Sequence, residues 1–310
     1  MNNKEFANRP DRDPSYVKRI VDERLLRAAN QPNASVVEAF LKRGGRANAD
    51  RSSSAALEFL ANLKAHTIVE DDSLLVINKP PGISTHHNAV VSCGAEELIR
   101  YARRDAKETI VSGHRLDKDT SGVLVLAKTE PALASLISQF SNKENSKMDK
   151  LYLALLDGEF TDPIPQEVRV LLADLKLRKV RVVDPVREEV PENAKLAISH
   201  FAPMTLFADK ADPSRRITLS SVKILTGRTH QIRVTAAHLG LPVVGDGLYN
   251  LDNPNPDGVT RQMLHALRLT LAHPQTHEEL TLVAPPPQDF NRMVSRNLNP
   301  IRNYGTGATS

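Results

Sequence analysis

The chain has no tryptophan, and aromatic residues make up only 4% of it. That scarcity excludes an extended platform of rings for stacking bases and leaves any stacking to one or two selected side chains. A single cysteine, Cys93, excludes an intramolecular disulfide and a cysteine-built zinc site within the chain. No apolar run approaches the ~20 residues needed to span a bilayer. Met1-Asn2-Asn3-Lys4-Glu5-Phe6 lacks the apolar core of a secretory signal. These absences point to a cytoplasmic protein with no membrane partner. There are ten histidines, yet no His-Glu-x-x-His spacing and no Walker sequence. Zinc-protease and P-loop chemistry are thereby set aside, and no metal or other cofactor is expected.

What remains is ordinary in bulk and informative in detail. A chain of 310 residues holds one large catalytic domain and a smaller attachment. A hydrophobic fraction of 40% and a charged fraction of 25% are those of a soluble globular protein. The net charge of +4 and pI near 9.1 are compatible with nucleic-acid binding without establishing it. Basic residues gather locally: Lys176, Arg178, Lys179 and Arg181; Arg100, Arg103 and Arg104; Lys210, Arg215 and Arg216. Each cluster alone reads as a solvated face. Several on one side would track phosphates.

Along the chain, residues 1–15 are polar and proline-punctuated and read as a mobile start. Residues 16–63 read as a helical extension. Val17, Ile20, Val21, Leu25 and Ala28 recur at helical spacing, and a second helix from about Ser35 stops at Gly44-Gly45. Residues 64–296 form the main domain. Strands are expected at 67–70, 74–78, 123–127, 151–157, 196–202, 217–225 and 279–283. Helices are expected at about 94–104, 130–140 and 230–239, with Thr129 capping the second and Gly240 ending the third. Strands outnumber helices without regular alternation, so the fold class is α+β. Residues 141–150 and 184–195 read as loops, and 297–310 as a disordered tail.

The most informative stretch is His114-Arg115-Leu116-Asp117-Lys118-Asp119-Thr120-Ser121-Gly122. Two carboxylates sit in a polar turn that runs into Val123-Leu124-Val125-Leu126, a buried-strand pattern. A carboxylate at the mouth of a rigid strand is placed to act as nucleophile, base or metal ligand. The same residues also suit a plain polar turn, since Asp, Ser and Gly favour turns for backbone reasons.

The wording HRLDxxTSG resembles the signature of the RluA-type family of RNA pseudouridine synthases. Further segments resemble that family in its order. They are Asn78-Lys79-Pro80-Pro81-Gly82, then Lys150-Leu151-Tyr152-Leu153-Ala154 with Gly158, then Gly227-Arg228-Thr229-His230-Gln231-Ile232-Arg233-Val234. Gly240-x-Pro242, Val244-Gly245-Asp246 with Tyr249, Leu264-His265-Ala266 and His273-Pro274 follow. The match spans roughly residues 66–290. Two features depart from it: Thr235 stands where the family usually has His, and residues 203–216 fall outside the pattern.

The resemblance implies a pseudouridine synthase fold with a mixed, largely antiparallel sheet and flanking helices. It implies isomerisation of uridine in structured rRNA or tRNA, by a protein read as a monomer. The reaction breaks the C1′–N1 bond, rotates the base and joins C1′ to C5, so it needs neither a redox cofactor nor an energy source. It does need a carboxylate beside a flipped uridine. By resemblance Asp117 is that residue, Tyr152 packs against the uracil, and Arg233 holds the carboxylate ionised and aimed. Arg115 either fills the stack vacated by the base or binds a phosphate. RNA contacts are further expected from His114, Lys79 and Arg228, and from Lys176, Arg178, Lys179 and Arg181. His114, His230 and His265 are also read as fixing loops by hydrogen bonds. Residues 16–63 resemble either a degenerate S4 RNA-binding module or a structural extension.

Overall fold

Leu74-Leu75-Val76-Ile77 and Val123-Leu124-Val125-Leu126 are apolar at every position, so each must be covered on both faces. Both are fully buried strands in the computed structural model. The structure describes residues 18–24, 37–39, 41–42, 51–87, 93–104, 108–141, 148–161, 165–175 and 179–304. The mobile start at 1–15 and the Gly44-Gly45 stop lie outside those residues. The chain divides into two compact units, residues 1–148 with 268–285 and residues 149–267 with 286–310.

The first unit opens with helical residues 18–24, whose Val21 enters its core. Helices α1 (Arg51–Ala61) and α2 (Leu63–His66) follow, and then strands β1 (Thr67–Glu70) and β2 (Leu74–Lys79). The polar run Arg51-Ser52-Ser53-Ser54 forms the first turn of α1. Next come α3 (Ala95–Ala102), β3 (Val111–Ser112), β4 (Ser121–Ala127) and α4 (Glu130–Ser141). The Thr129 hydroxyl accepts from the Ala132 N–H at 3.3 Å and caps α4, as its sequence position foretold.

The second unit is built from β5 (Asp149–Asp157), β6 (Gln166–Asp174), β7 (Val180–Val183), β8 (Lys195–Asp209), β9 (Arg216–Ile224) and α5 (Gln231–His238). Its strand order is β5-β9-β8-β6-β7, with every neighbour antiparallel. Helix α5 ends as expected at Gly240, which donates to the Ala237 carbonyl and whose φ of +75° turns the Leu241 N–H back to the Ala236 carbonyl. Strand β10 (Leu264–Ala272) gives its first four residues to this unit and the rest to the first. With β11 (Glu279–Val283), the first unit then reads β1-β2-β4-β10, β3 also lying on β4 and β11 on β10.

After α6 (Gln288–Arg292) and a π-helical turn, β12 (Leu298–Asn303) returns to the second unit and pairs antiparallel with β8. This corrects the expected disordered tail over residues 298–303, while residues 305–310 lie outside the described ones. Leu298 is buried with Phe207, Phe290 and Met293, so the segment is anchored by packing as well as by its ladder. Among the described residues the fold is α+β with twelve strands, and no helix is long and apolar enough to cross a membrane.

Candidate active site

Asp117 sits half-buried in a turn whose backbone is tied down on three sides. The Thr120 N–H donates to the Asp117 carbonyl at 3.1 Å, closing the turn immediately before β4. One residue earlier, the Leu116 N–H donates to Thr85 Oγ1, and that hydroxyl donates to the Leu116 carbonyl, both at 2.9 Å. The Lys79 ammonium lies beneath the turn with no exposed surface. It donates to the carbonyls of Pro80, Ile83 and Lys118 at 2.9, 2.7 and 3.2 Å. His114 Nε2 accepts from the Val125 N–H at 3.1 Å, which places that ring's proton on Nδ1 when neutral. Its ring stacks on Phe140 with centroids 4.7 Å apart. Arg24 adds a clamp from the N-terminal helix, donating to the Ser112 and Gly113 carbonyls. Asp117 thus projects from a scaffold that cannot easily shift, while Arg115 beside it is exposed.

In the second unit Arg233 is the corresponding fixed point. It lies on α5, 5% exposed, and its Nε and Nη2 donate to Asp246 Oδ2 and Oδ1 at 2.6 and 2.8 Å. A bidentate fork of this kind sets the plane of the guanidinium. Asp246 is itself held by the Leu248 and Tyr249 N–H groups, which donate to its Oδ1 at 2.9 and 3.2 Å. Gly245 makes the bend possible. Its φ is +78°, and a Cβ there would lie 2.1 Å from the Arg261 carbonyl oxygen. The start of α5 is fixed by Gln231, whose Oε1 accepts from the Thr226 hydroxyl and the Arg228 N–H and whose amide nitrogen donates to Ile198 and Ser199. Tyr152 stands on β5 opposite Val222, half-buried against the cluster of Ala154, Phe201 and Ile232.

The chain matches the family model described as RNA pseudouridylate synthase over residues 73–238. It is 37% identical over 237 residues to ribosomal large subunit pseudouridine synthase C of Yersinia pestis, spanning 75% of this chain and 69% of that protein. The chain belongs to the RluA-type family of RNA pseudouridine synthases. An uncharacterized RNA pseudouridine synthase of Bacillus subtilis is 32% identical over 266 residues, 82% of this chain and 80% of that one. The fold is also that of human RNA pseudouridylate synthase domain containing 1. Its TM-score is 0.61 at 24% identity, covering 76% of this chain and 89% of the human one.

Within this pseudouridine synthase, the residues read as RNA contacts differ in depth and in the partners they already hold. Lys79 is corrected first: a buried ammonium satisfied by three carbonyls is a staple of the Asp117 turn. His114 serves as a loop-fixing histidine, as its alternative reading held. Arg181 forks onto Glu188 at 2.5 and 2.6 Å, and that carboxylate raises its pKa further. Lys179 is exposed and Arg228 half-buried, with its Nε donating to the Leu196 carbonyl at 3.2 Å. Lys176 and Arg178 lie outside the described residues.

In the other basic clusters three arginines are engaged by the protein itself. Arg103 binds Glu70 and Glu108, and Arg100 binds Glu96 and the Ile110 carbonyl. Arg215 forks onto Asp157 and reaches the Pro254 carbonyl. Asp157 also accepts from Asn250, four residues past Asp246. The segment 203–216, foreign to the family pattern, thereby buttresses the loop that carries Asp246. Asp246 and Tyr249 were visible in the sequence as part of a matched motif, but nothing there assigned them a task.

Proposed function

We propose that this pseudouridine synthase isomerises particular uridines in ribosomal large-subunit RNA, with Asp117 as the reacting carboxylate. The observation that carries the reading is the fixed turn of the HRLDxxTSG motif, in a chain whose relatives include ribosomal large subunit pseudouridine synthases. A carboxylate on a scaffold of this kind is aimed before substrate arrives, which lowers the entropic cost of attack. The uridine is flipped out of its stack, at a cost of a few kcal/mol. Exposed Arg115 supplies a planar guanidinium to take its place. The C1′–N1 bond breaks, the base turns, C1′ joins C5, and the C5 proton is lost while N1 regains one, so the product is an isomer. In this reading Tyr152 packs against the base, and Arg233 is the cation that steadies the reacting carboxylate. Transfer RNA is the second target class, held open because the same chemistry applies to any structured RNA.

Asp117→Asn keeps the side chain's shape and removes its charge. The expected result is no detectable tritium release from C5-labelled uridine in RNA, with fold and RNA affinity retained. Turnover near the wild-type rate would remove Asp117 from the mechanism. Pseudouridine maps of RNA from cells with and without this protein should differ in large-subunit rRNA. A difference confined to tRNA would transfer the target class.

A further inference from the structure

Tyr249 joins three elements of the second unit through one side chain. Its hydroxyl accepts from the Val180 N–H at 2.9 Å, at the first residue of β7 and next to exposed Lys179. The same hydroxyl lies 3.0 Å from His230 Nδ1, at the start of α5. His230 holds that place with a φ of +52°, a left-handed conformation unusual for any residue but glycine. The Tyr249 ring lies under the guanidinium of Arg233, whose Cζ is 5.3 Å from the ring centroid, within cation–π range. Its own N–H donates to Asp246, the carboxylate that forks Arg233. The ring also packs with Val170, Leu172, Val180 and Val234.

From this arrangement we infer that Tyr249 is a positioning residue that couples the β6–β7 hairpin to the plane of Arg233. Strand β7 ends the strand order of its unit, so the hairpin is an edge element, and exposed Lys179 stands immediately before its second strand. An RNA backbone held there fixes Val180, Val180 fixes the Tyr249 hydroxyl, and the ring fixes the guanidinium. Docking and turnover are then linked by a single hydrogen bond. The inference rests on the proposed role of Arg233 and adds a residue to it.

The test uses the full chain and large-subunit rRNA transcribed in vitro with tritium at uridine C5. Tyr249→Phe deletes the hydroxyl and leaves the ring in place. Val180→Pro deletes the same bond from the other partner, at the first residue of an edge strand, where proline is tolerated. Losing one hydrogen bond that acts only on the reacting geometry should lower kcat about fivefold. In Tyr249→Phe the KM should stay within about twofold, and the thermal midpoint should barely move; Val180→Pro also loses buried packing and is compared by kcat alone. The double variant should be no slower than Tyr249→Phe alone, because that variant already lacks the bond to Val180. An unchanged kcat in folded Tyr249→Phe would overturn the inference, as would a change in KM alone or losses that multiply in the double variant. Wild-type protein inactive on rRNA but active on tRNA would overturn only the target class, and the same comparison would then be run on tRNA.

Discussion

Lys79 shows how far a residue's chemistry depends on depth. In the sequence it is a lysine in a family motif of an RNA enzyme, and phosphate binding is the natural reading. In the fold it has no exposed surface, and its ammonium is shared among three carbonyls. Lys79→Met keeps the aliphatic stem and strands those acceptors. The variant should lose roughly 2–5 kcal/mol of stability, seen as a lowered denaturation midpoint. Its RNA affinity at fixed salt should be unchanged once it is folded. A stable variant with weakened RNA binding would restore the phosphate reading. Arg181 stays nearer the surface but is engaged all the same, by Glu188, seven residues away on a loop that no spacing rule connects to it. Asp117, Tyr152 and Arg233 were legible because motif wording singles them out. Asp246 and Tyr249 were legible only as letters, because what they do depends on a left-handed glycine and on the side chains that meet there.

At the scale of elements, long apolar or alternating segments declared themselves. Strands β2, β4, β5 and β9 begin or end within two residues of where periodicity placed them. Strand β6 was missed because its exposed face carries Glu167 and Arg169, which look like loop polarity. Strand β12 was missed because Pro300 and Asn303 argue against a strand, although an edge position accommodates both. The ends of β1, α3 and β4 are joined by charge: Glu70 pairs with Arg103 and with Lys128. The Arg103 hydrogen bond, helped by Lys128 and opposed by burial, brings the Glu70 pKa down from 4.5 to about 2. A depressed folded-state pKa contributes stability above the unfolded value, and that contribution is lost as pH falls through the folded one. Glu70→Gln should therefore lower the thermal midpoint most above pH 4.5, with the gap to wild type closing as pH approaches about 2. A gap independent of pH would show that the pair contributes packing alone.

For the whole molecule, the reaction of the family conserves atoms and oxidation state, and the proposed machinery is carboxylate, phenol and guanidinium. Activity should therefore survive exhaustive chelation and desalting, with magnesium returned in a control only to fold the RNA. Activity restored by zinc alone would reopen the histidines as ligands. The division of the chain carries a separate consequence, for how the protein is made. The core of the first unit takes Leu74, Val76, Val123 and Val125 from the early chain and Leu269, Leu271, Leu282 and Ala284 from the late chain. Roughly 120 residues, 149–267 of the second unit, are translated between the first unit's two segments. At ~5–20 residues per second, the early strands wait on the order of 6–25 s before their partners leave the ribosome. A nascent chain halted at residue 267 would hold that apolar face open to chaperones and proteases, so the interval of synthesis is this protein's most exposed moment.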